Sequence, residues 1–260
     1  MSNRKTKRIL SELKELEKSN ELFSNNGVHY YYNEENINII YIMIIGSKDT
    51  PYENGFYFFK LEYPDNYPMT PPKMNYCTQG ILPLYGKLSK NDISYFNVRF
   101  NPNLYTNEKV CLSMLNTWMG PGWVPTNTIT NIIVAIQALV LNEEPLRNEP
   151  GYEHSCTDDI DKYNHIIQYA NLKIAILDQL KTKHLGDFEC FRNKINQIFL
   201  NNIDLYKNTF EKIKNIDGDI ITSPAYAMNL QIDYENLINY FTIMKCKLIV
   251  NNNYKQLTER

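Results

Sequence analysis

The sequence of 260 residues lacks the features that mark several common protein classes. Its five cysteines are an odd number without a CxxC pair, so neither a disulfide framework nor a metal site is expected. No apolar run approaches the roughly 18–20 residues that span a bilayer, and the charged N-terminus has no apolar signal core. We therefore expect no membrane partner. We expect the protein to be in a reducing compartment, the cytoplasm and also the nucleus.

Charge of one sign is also not in excess. The chain has 27 Lys and Arg against 29 Asp and Glu, for a net charge of −2, so we expect no nucleic-acid partner. Hydrophobic residues make up 43%, enough for a sizeable core in one large domain or in one domain with an appendage. Frequent Asn, Ile, Lys and Tyr, with 20 Tyr, indicate an AT-rich genome, such as that of a protist or a large virus.

The first segment has the pattern of an amphipathic helix. Ile9, Leu13 and Leu16 fall at helical spacing, with Leu10 beside them. Five basic residues cover the rest of this helix: Arg4, Lys5, Lys7, Arg8 and Lys14. They form either a solvated face or a docking surface for an acidic partner.

Strand patterns follow the helix. A β-branched run covers Ile37–Ile45, and Asn54-Gly55 is a strong hairpin signal. After the turn, residues 57–63 alternate at period two, with Phe58 on the more polar side. We expect three antiparallel strands before residue 80 and an irregular, exposed loop over residues 79–98.

The period then changes to that of helices. Thr126 or Thr128 is a suitable N-cap for a core helix, whose apolar stripe contains Ile129, Ile132, Ile133, Ile136, Leu139 and Val140. Beyond Gly151 the pattern is helical almost throughout, apart from a loop with Asp217-Gly218 and Ser223-Pro224. The large apolar residues at helical spacing need a surface to pack on. Strands followed by helices predict an α+β protein with a helical C-terminal part.

The residues alone leave the chemistry open. Cys111 lies between Val110 and Leu112, where a cysteine is usually a small buried hydrophobe. A cysteine hydrolase would need a histidine base oriented by Asn or Asp. None of the four histidines stands in a recognisable protease context: His29, His154, His165 and His184.

Four motifs change that balance. They are a TPY-containing turn over residues 45–56, a YPxxPPK turn over residues 67–73, Asn101-Pro102-Asn103 eight positions before Cys111, and Trp123-Val124-Pro125 before the core helix. Their order and spacing over about residues 1–175 resemble the ubiquitin-conjugating (E2) enzymes. Thr117-Trp118, Gly120-Pro121 and residues 148–153 are similar to the larger, Z-type members of that family, which carry an inserted loop and a C-terminal extension.

The resemblance implies a ubiquitin-conjugating (UBC) core at 1–176 and a helical C-terminal extension at 177–260 packed on it. It also implies that Cys111 is the nucleophile that carries ubiquitin or a related modifier as a thioester. Asn103 would hold the oxyanion or the loop around it, and Asn101 and Pro102 would shape that loop. Asn148 and Glu149 are candidates for orienting the acceptor lysine. Asn101 replaces the family's usual His.

The partners follow from the same resemblance. The E1 enzyme would contact the helix with Arg4, Lys5, Lys7 and Arg8. An E3 ligase would contact Met69, Val124 and Pro125. ATP is used by the E1, so we expect no bound cofactor in this chain. We also expect the protein to be a monomer. The long 78–97 loop is either a contact for a substrate or an E3, or a tolerated insertion. The alternative function is an inactive E2 variant that binds ubiquitin as a scaffold.

Overall fold

The computed structural model describes residues 3–84, 94–181 and 185–258. The N-terminal half contains two helices and six strands: α1 (Asn3–Lys18), α2 (Asn20–Asn25), β1 (Val28–Asn33), β2 (Asn36–Ile45), β3 (Phe56–Glu62), β4 (Lys73–Tyr76), β5 (Ile81–Leu84) and β6 (Ser94–Asn97). The rest is mainly helical: α3 (Ile129–Ala135), α4 (Thr157–Ala170), α5 (Arg192–Asn201), α6 (Ile203–Glu211), β7 (Ile220–Thr222), β8 (Asn229–Gln231) and α7 (Tyr234–Thr258). The predicted α+β class is confirmed.

The main sheet is a four-stranded antiparallel meander in the order β1-β2-β3-β4. It has one strand more than the three that the sequence predicts before residue 80. Two-residue alternation also fails on β3, where Phe58 is only 2% exposed. Antiparallel sheets commonly leave one face to water. Here both faces of β2 and β3 are covered, which explains why these strands have apolar residues at successive positions.

The C-terminal part provides the second cover. Phe188 packs edge-on against Tyr41 at 5.4 Å between ring centroids and lies 4.9 Å from Phe58. Tyr206 on α6 stacks on Phe56 at 6.2 Å. These contacts join residues beyond 176 to the sheet through one continuous hydrophobic core. Large apolar side chains of the C-terminal part, among them Phe188 and Tyr206, thus lie against the sheet.

Two segments differ from the sequence pattern. Residues 79–98 are not simply an irregular loop, because β5 and β6 pair as an antiparallel hairpin at its two ends, while Gly86 lies outside the described residues. The C-terminal part is not helical throughout, because β7 and β8 form a second hairpin. Strands of three or four residues have too few positions for a period of two to be recognised.

The core helix begins as predicted at Thr128, whose hydroxyl accepts from the Asn131 backbone N–H in a capping box. Its second half, Ile136–Val140, is a π-helical turn that shifts the face on which later residues lie. Leu139 is consequently 62% exposed instead of lying on the buried stripe. A second π-helical turn, Asn171–Asp178, extends α4 across the expected boundary between residues 176 and 177.

Candidate functional site

Cys111 is bound to a neighbouring loop through its backbone. Its N–H donates to the Asn103 carbonyl at 2.8 Å, and the Asn103 side-chain amide donates to the Cys111 carbonyl at the same distance. Both residues are buried, Cys111 at 1% exposure. Asn103 therefore bonds both backbone polar groups of Cys111, its N–H and its carbonyl, which supports the loop-holding role among the two that were predicted for it.

Asn101 organises this loop from beneath. It is fully buried, and its side-chain oxygen accepts from the Asn103 N–H at 2.8 Å. Its amide donates to the Val140 carbonyl at 2.7 Å and to the Tyr52 hydroxyl at 3.0 Å. Pro102 between the two asparagines is buried as well. A single neutral side chain thus ties the loop to the end of the core helix and to the β2–β3 turn.

Asn148 joins the same network. Its amide donates to the Leu139 carbonyl at 2.8 Å and reaches the Asn101 side-chain oxygen at 3.5 Å, the limit of a hydrogen bond. Asn142 donates to its oxygen at 3.2 Å. Asn148 is therefore held by three partners, and its side chain supports Asn101 in this structure.

Glu149, the other candidate for orienting a lysine, has a different environment. Its carboxylate accepts a hydrogen bond from the Tyr226 hydroxyl, which comes from the β7–β8 turn. Burial first, and then the Glu149 carboxylate, raise the pKa of Tyr226, so the phenol stays protonated and keeps donating. The structure thus separates the two neighbouring candidates, Asn148 on the core side and Glu149 beside the extension.

Arg99 is a residue of this site that sequence reasoning did not select. Its guanidinium donates to the Asn101 carbonyl at 3.1 Å and to the Pro102 carbonyl at 2.7 Å. It lies 3.4 Å from the Tyr105 ring centroid and 5.0 Å from that of Tyr226, both within cation–π range. Its place two residues before the asparagine loop is the signal that could have identified it.

Thr117 was also missed as a site residue. Its hydroxyl donates to the Val110 carbonyl at 2.7 Å and accepts from the Leu112 N–H at 2.9 Å, so it bonds the residues on both sides of Cys111. Thr117 follows Asn116, whose backbone is left-handed with φ of 55°. This turn brings the inserted loop back over the segment that contains Cys111.

The other cysteines are poorer nucleophiles or lie elsewhere. Burial raises the pKa of the Cys77 thiol to about 12, and desolvation of the thiol raises the pKa of Cys190, an exposed residue, to about 11. Both are therefore protonated at neutral pH, and the thiolate is the reactive form. Cys156 and Cys246 are exposed.

A histidine base for a hydrolase is not placed. Among the residues that the structure describes, no histidine hydrogen-bonds Cys111. His29 lies on β1 beside Ser24, and burial followed by the Lys194 charge lowers its pKa to about 4. His184 lies outside the described residues. The hydrolase alternative therefore gains no support from the described residues.

The three residues predicted to contact an E3 share one exposed surface region. Met69 is 52% exposed and Val124 is 47% exposed, and Pro125 is exposed beside it. The Trp123 indole N–H donates to the Pro68 carbonyl at 2.8 Å. This bond holds the two loops together and leaves their apolar tips in solvent.

The four basic residues of α1 that were predicted to contact an E1 divide into two pairs. Arg4 and Lys7 are exposed. Lys5 is buried, with its ammonium 3.0 Å from the Tyr63 carbonyl and 3.5 Å from Asp65. Arg8 donates to Glu12 at 2.5 Å and to the Asn127 carbonyl at 2.8 Å. Leu10 is 44% exposed rather than part of the buried stripe. Only Arg4 and Lys7 are thus free of these internal contacts and available to a partner.

Within the described ranges, no three potential metal ligands of the His, Cys, Asp or Glu type are grouped together. No helix in those ranges is both long enough and apolar enough to cross a bilayer.

Comparison with known proteins places this geometry in context. The sequence model described as "Ubiquitin-conjugating enzyme" matches residues 8–170. The chain is 33% identical over 211 residues to "Ubiquitin-conjugating enzyme E2 Z" of Homo sapiens, covering 81% of this chain and 55% of that protein. It is 35% identical over 222 residues to human "Dual E2 ubiquitin-conjugating enzyme/E3 ubiquitin-protein ligase BIRC6", covering 82% of this chain and 4% of that protein.

A solved structure of a ubiquitin-conjugating enzyme E2 from Plasmodium falciparum is also similar. The identity is 25%, with a TM-score of 0.36, over 50% of this chain and 91% of that one. The E2 Z relatives are longer, since the chain spans 59% of the Danio rerio protein and 55% of the human one.

Proposed function

The chain belongs to the ubiquitin-conjugating enzyme family, and from this premise we propose that Cys111 is the residue that carries the modifier. In this proposal Cys111 takes ubiquitin, or a ubiquitin-like modifier, from an E1 enzyme as a thioester. It then transfers the modifier to a substrate lysine, usually with an E3 ligase. We propose that the modifier, the E1, the E3 and the substrate are the partners of the protein, and that it acts in the reducing cytoplasm or nucleus.

One observation carries the proposal. The Asn103 carbonyl and side-chain amide clamp the Cys111 backbone at 2.8 Å each, and Asn101 fixes Asn103 from below. Burial of Cys111 by itself fits an inert core cysteine equally well. A double backbone clamp on one cysteine, within a family that performs acyl transfer, supports a nucleophile instead.

The first step is exchange between a thiol and a thioester. The Cys111 sulfur attacks the carbonyl carbon of the E1-bound modifier, a carbon–sulfur bond to Cys111 forms, and the E1 thiolate leaves and takes a proton. The bond broken and the bond formed are alike, so the exchange is nearly balanced in energy. Because Cys111 is 1% exposed, side chains around it must move aside when it is charged.

The second step is aminolysis. A neutral lysine amine attacks the thioester carbonyl, an amide bond forms, and Cys111 leaves as the thiol once the amine has lost its proton. Free lysine has a pKa of about 10.4, so only about one in 2,500 is neutral at pH 7. Desolvation beside the site and a carboxylate such as Glu149 that orients the amine would both favour the reactive geometry.

The oxyanion of this step needs a donor. An asparagine amide carries two hydrogens, and Asn103 uses one for the Cys111 carbonyl. The second hydrogen is the neutral donor that we assign to the oxyanion. Exchange with the E1 makes less demand on such a donor than aminolysis, so Asn103 should contribute more to transfer than to charging.

The alternative is a scaffold that binds ubiquitin without chemistry. Met69, Val124 and Pro125 form an exposed apolar surface that such a protein would also use. A scaffold does not need a clamped cysteine, and that observation makes the enzyme the better supported of the two.

The deciding experiment is a charging assay with ATP, the modifier and an E1 enzyme. We expect a thiol-sensitive adduct with wild type, none with Cys111→Ala, and a thiol-resistant, hydroxide-sensitive adduct with Cys111→Ser. Cys156→Ser is the matched control, because Cys156 is exposed and should charge as wild type. A Cys111→Ala protein that still forms a thioester would overturn the assignment, and ubiquitin binding without any adduct would favour the scaffold.

A further inference from the structure

The β7–β8 turn of the C-terminal part reaches the loop beside Cys111. Tyr226 at its tip donates its hydroxyl hydrogen to the Glu149 carboxylate, 77 residues earlier in the chain. Its ring lies 5.0 Å from the Arg99 guanidinium carbon and 6.3 Å from the Tyr163 ring. One side chain of the extension thus contacts both a candidate lysine-orienting residue and the arginine that holds the asparagine loop.

The turn is built to keep this side chain in place. Tyr226 and Ala227 both have left-handed backbones, with φ of 63° and 51°. This conformation is costly for residues other than glycine and persists where the surroundings impose it. The Ser223 N–H donates to the Met228 carbonyl at 2.8 Å across the turn, and Met228 is fully buried.

The turn is also anchored to the core. The Tyr152 hydroxyl donates to the Pro224 carbonyl at 2.8 Å, and Tyr152 lies three residues after Glu149. Tyr163, whose ring lies beside Tyr226, donates to the Arg99 carbonyl at 2.7 Å. The segment containing Glu149 and the one containing Arg99 are therefore each tied to the place where the turn docks.

We propose that Tyr226 is a positioning residue for lysine transfer, acting by fixing the Glu149 carboxylate and the Arg99 side chain beside the Cys111 loop. This inference rests on the proposed function. A glutamate side chain in solvent samples many rotamers, and a carboxylate already held in one rotamer loses less entropy when it orients an amine. The extension thus contributes a side chain to the transfer step as well as cover for the sheet.

The test compares two acceptors. The variant Tyr226→Phe removes only the hydroxyl and keeps the ring beside Arg99. Starting from enzyme whose Cys111 carries the modifier, we expect the rate of discharge to free lysine to fall. This fall should exceed that of the charging rate by about tenfold, which corresponds to the loss of one hydrogen bond to an ionised group. Discharge to hydroxylamine, which is already neutral at pH 7 and needs no carboxylate to orient it, should change much less. A merely structural role would slow both acceptors alike.

A double-mutant cycle identifies the residue through which Tyr226 acts. In a Glu149→Gln background, Tyr226→Phe should have little further effect on lysine discharge. The matched control is Tyr240→Phe, a tyrosine of the same extension that lies beside Lys173 and Lys181 and should transfer as wild type.

The opposing outcomes are distinct. Lysine discharge at the wild-type rate, or faster, would overturn the inference, as would an equal loss with both acceptors. An undiminished effect in the Glu149→Gln background would overturn the action through Glu149. A wild-type protein that takes no thioester would overturn the proposed function, and this inference with it.

Discussion

The two sides of the Cys111 loop are held by different chemistry. On the core side, Asn103, Asn101 and Asn148 form a network of neutral amides that donate to backbone carbonyls, and the first two are buried. On the extension side, the Glu149 carboxylate accepts from Tyr226, and the Tyr226 ring also lies against Arg99, which links this side to the core side. Neutral amides keep the same hydrogen bonds at any ordinary pH, whereas the extension side depends on a charge and on a docked turn.

This difference also separates short-range from long-range assembly. Asn101, Asn103 and Cys111 lie within eleven residues of one another, so a local motif is enough to bring them together. Glu149 and Tyr226 are 77 residues apart. The core side can thus form wherever the core folds, and the extension side exists only while the C-terminal part is docked on the sheet.

Loosening the extension should have the largest effect. Phe188 is 6% exposed and packs between Tyr41 and Phe58. Replacing it with alanine leaves a cavity over the sheet, and Phe→Ala in a core costs about 3–5 kcal/mol. We expect urea unfolding of Phe188→Ala to show that loss in one cooperative transition with an unchanged m-value.

Phe188→Leu is the control for this prediction, because it keeps most of the volume and should lose less stability. Two separate unfolding transitions in Phe188→Ala would show that the extension is an independent unit, against the continuous core that the structure has. Deleting residues 186–260 outright is the weaker experiment, since it exposes Phe58 and Phe56 and invites aggregation.

Removing the Asn103 amide from the core side should lower the rate of transfer to lysine strongly and the rate of charging less. In Asn103→Ala the oxyanion loses its donor, and the loss of one such donor typically costs about 100–1,000-fold. We expect a fall in this range for lysine discharge and a smaller one for charging, measured in single-turnover reactions. Asn103→Asp, which keeps the shape and loses the donor, should resemble alanine. Equal losses in both half-reactions would indicate instead that the amide only holds the Cys111 backbone.

Much of this molecule could be predicted from the sequence, for reasons that depend on range. The UBC fold, strands β2 and β3 and the capped helix at Thr128 follow from local patterns, and the fold is confirmed. One of the four strands of the main sheet and the two short hairpins were missed. Phe58 was assigned to the more polar side of β3 because the partner that buries it, Phe188, is 130 residues away. Leu139 lies off the predicted buried stripe because a π-helical turn, which leaves no simple sequence pattern, interrupts its helix.

The candidate site divides in the same way. Motif spacing placed Cys111, Asn101 and Asn103 close together, and the structure has them hydrogen-bonded. It could not distinguish Asn148 from Glu149, because what separates them is Tyr226, which lies 77 residues after Glu149 in the turn of a hairpin too short to be recognised from its pattern. Lys5 and Arg8 show the same limit, since their internal partners Tyr63 and Asn127 are far away in sequence.

The smallest expected effect comes from the residue that joins the two sides. Arg99 donates to the carbonyls of Asn101 and Pro102 on the core side, and its flat guanidinium lies between the rings of Tyr105 and Tyr226. Lysine keeps the charge but has one nitrogen, so it cannot make both bonds in the planar geometry and stacks poorly. We expect Arg99→Lys to cost about 1 kcal/mol, or about fivefold in both charging and discharge.

The measurement for Arg99→Lys is the rate of each half-reaction, because Arg99 supports the loop that both of them use. Arg192→Lys is the matched control, since Arg192 binds Glu189 and the Gln179 carbonyl within the extension and should leave both rates unchanged. If Arg99→Lys slowed discharge alone, Arg99 would belong to the extension side with Glu149 and Tyr226. If it slowed neither reaction, the asparagine network would hold the loop without it, and the two sides would be independent of each other.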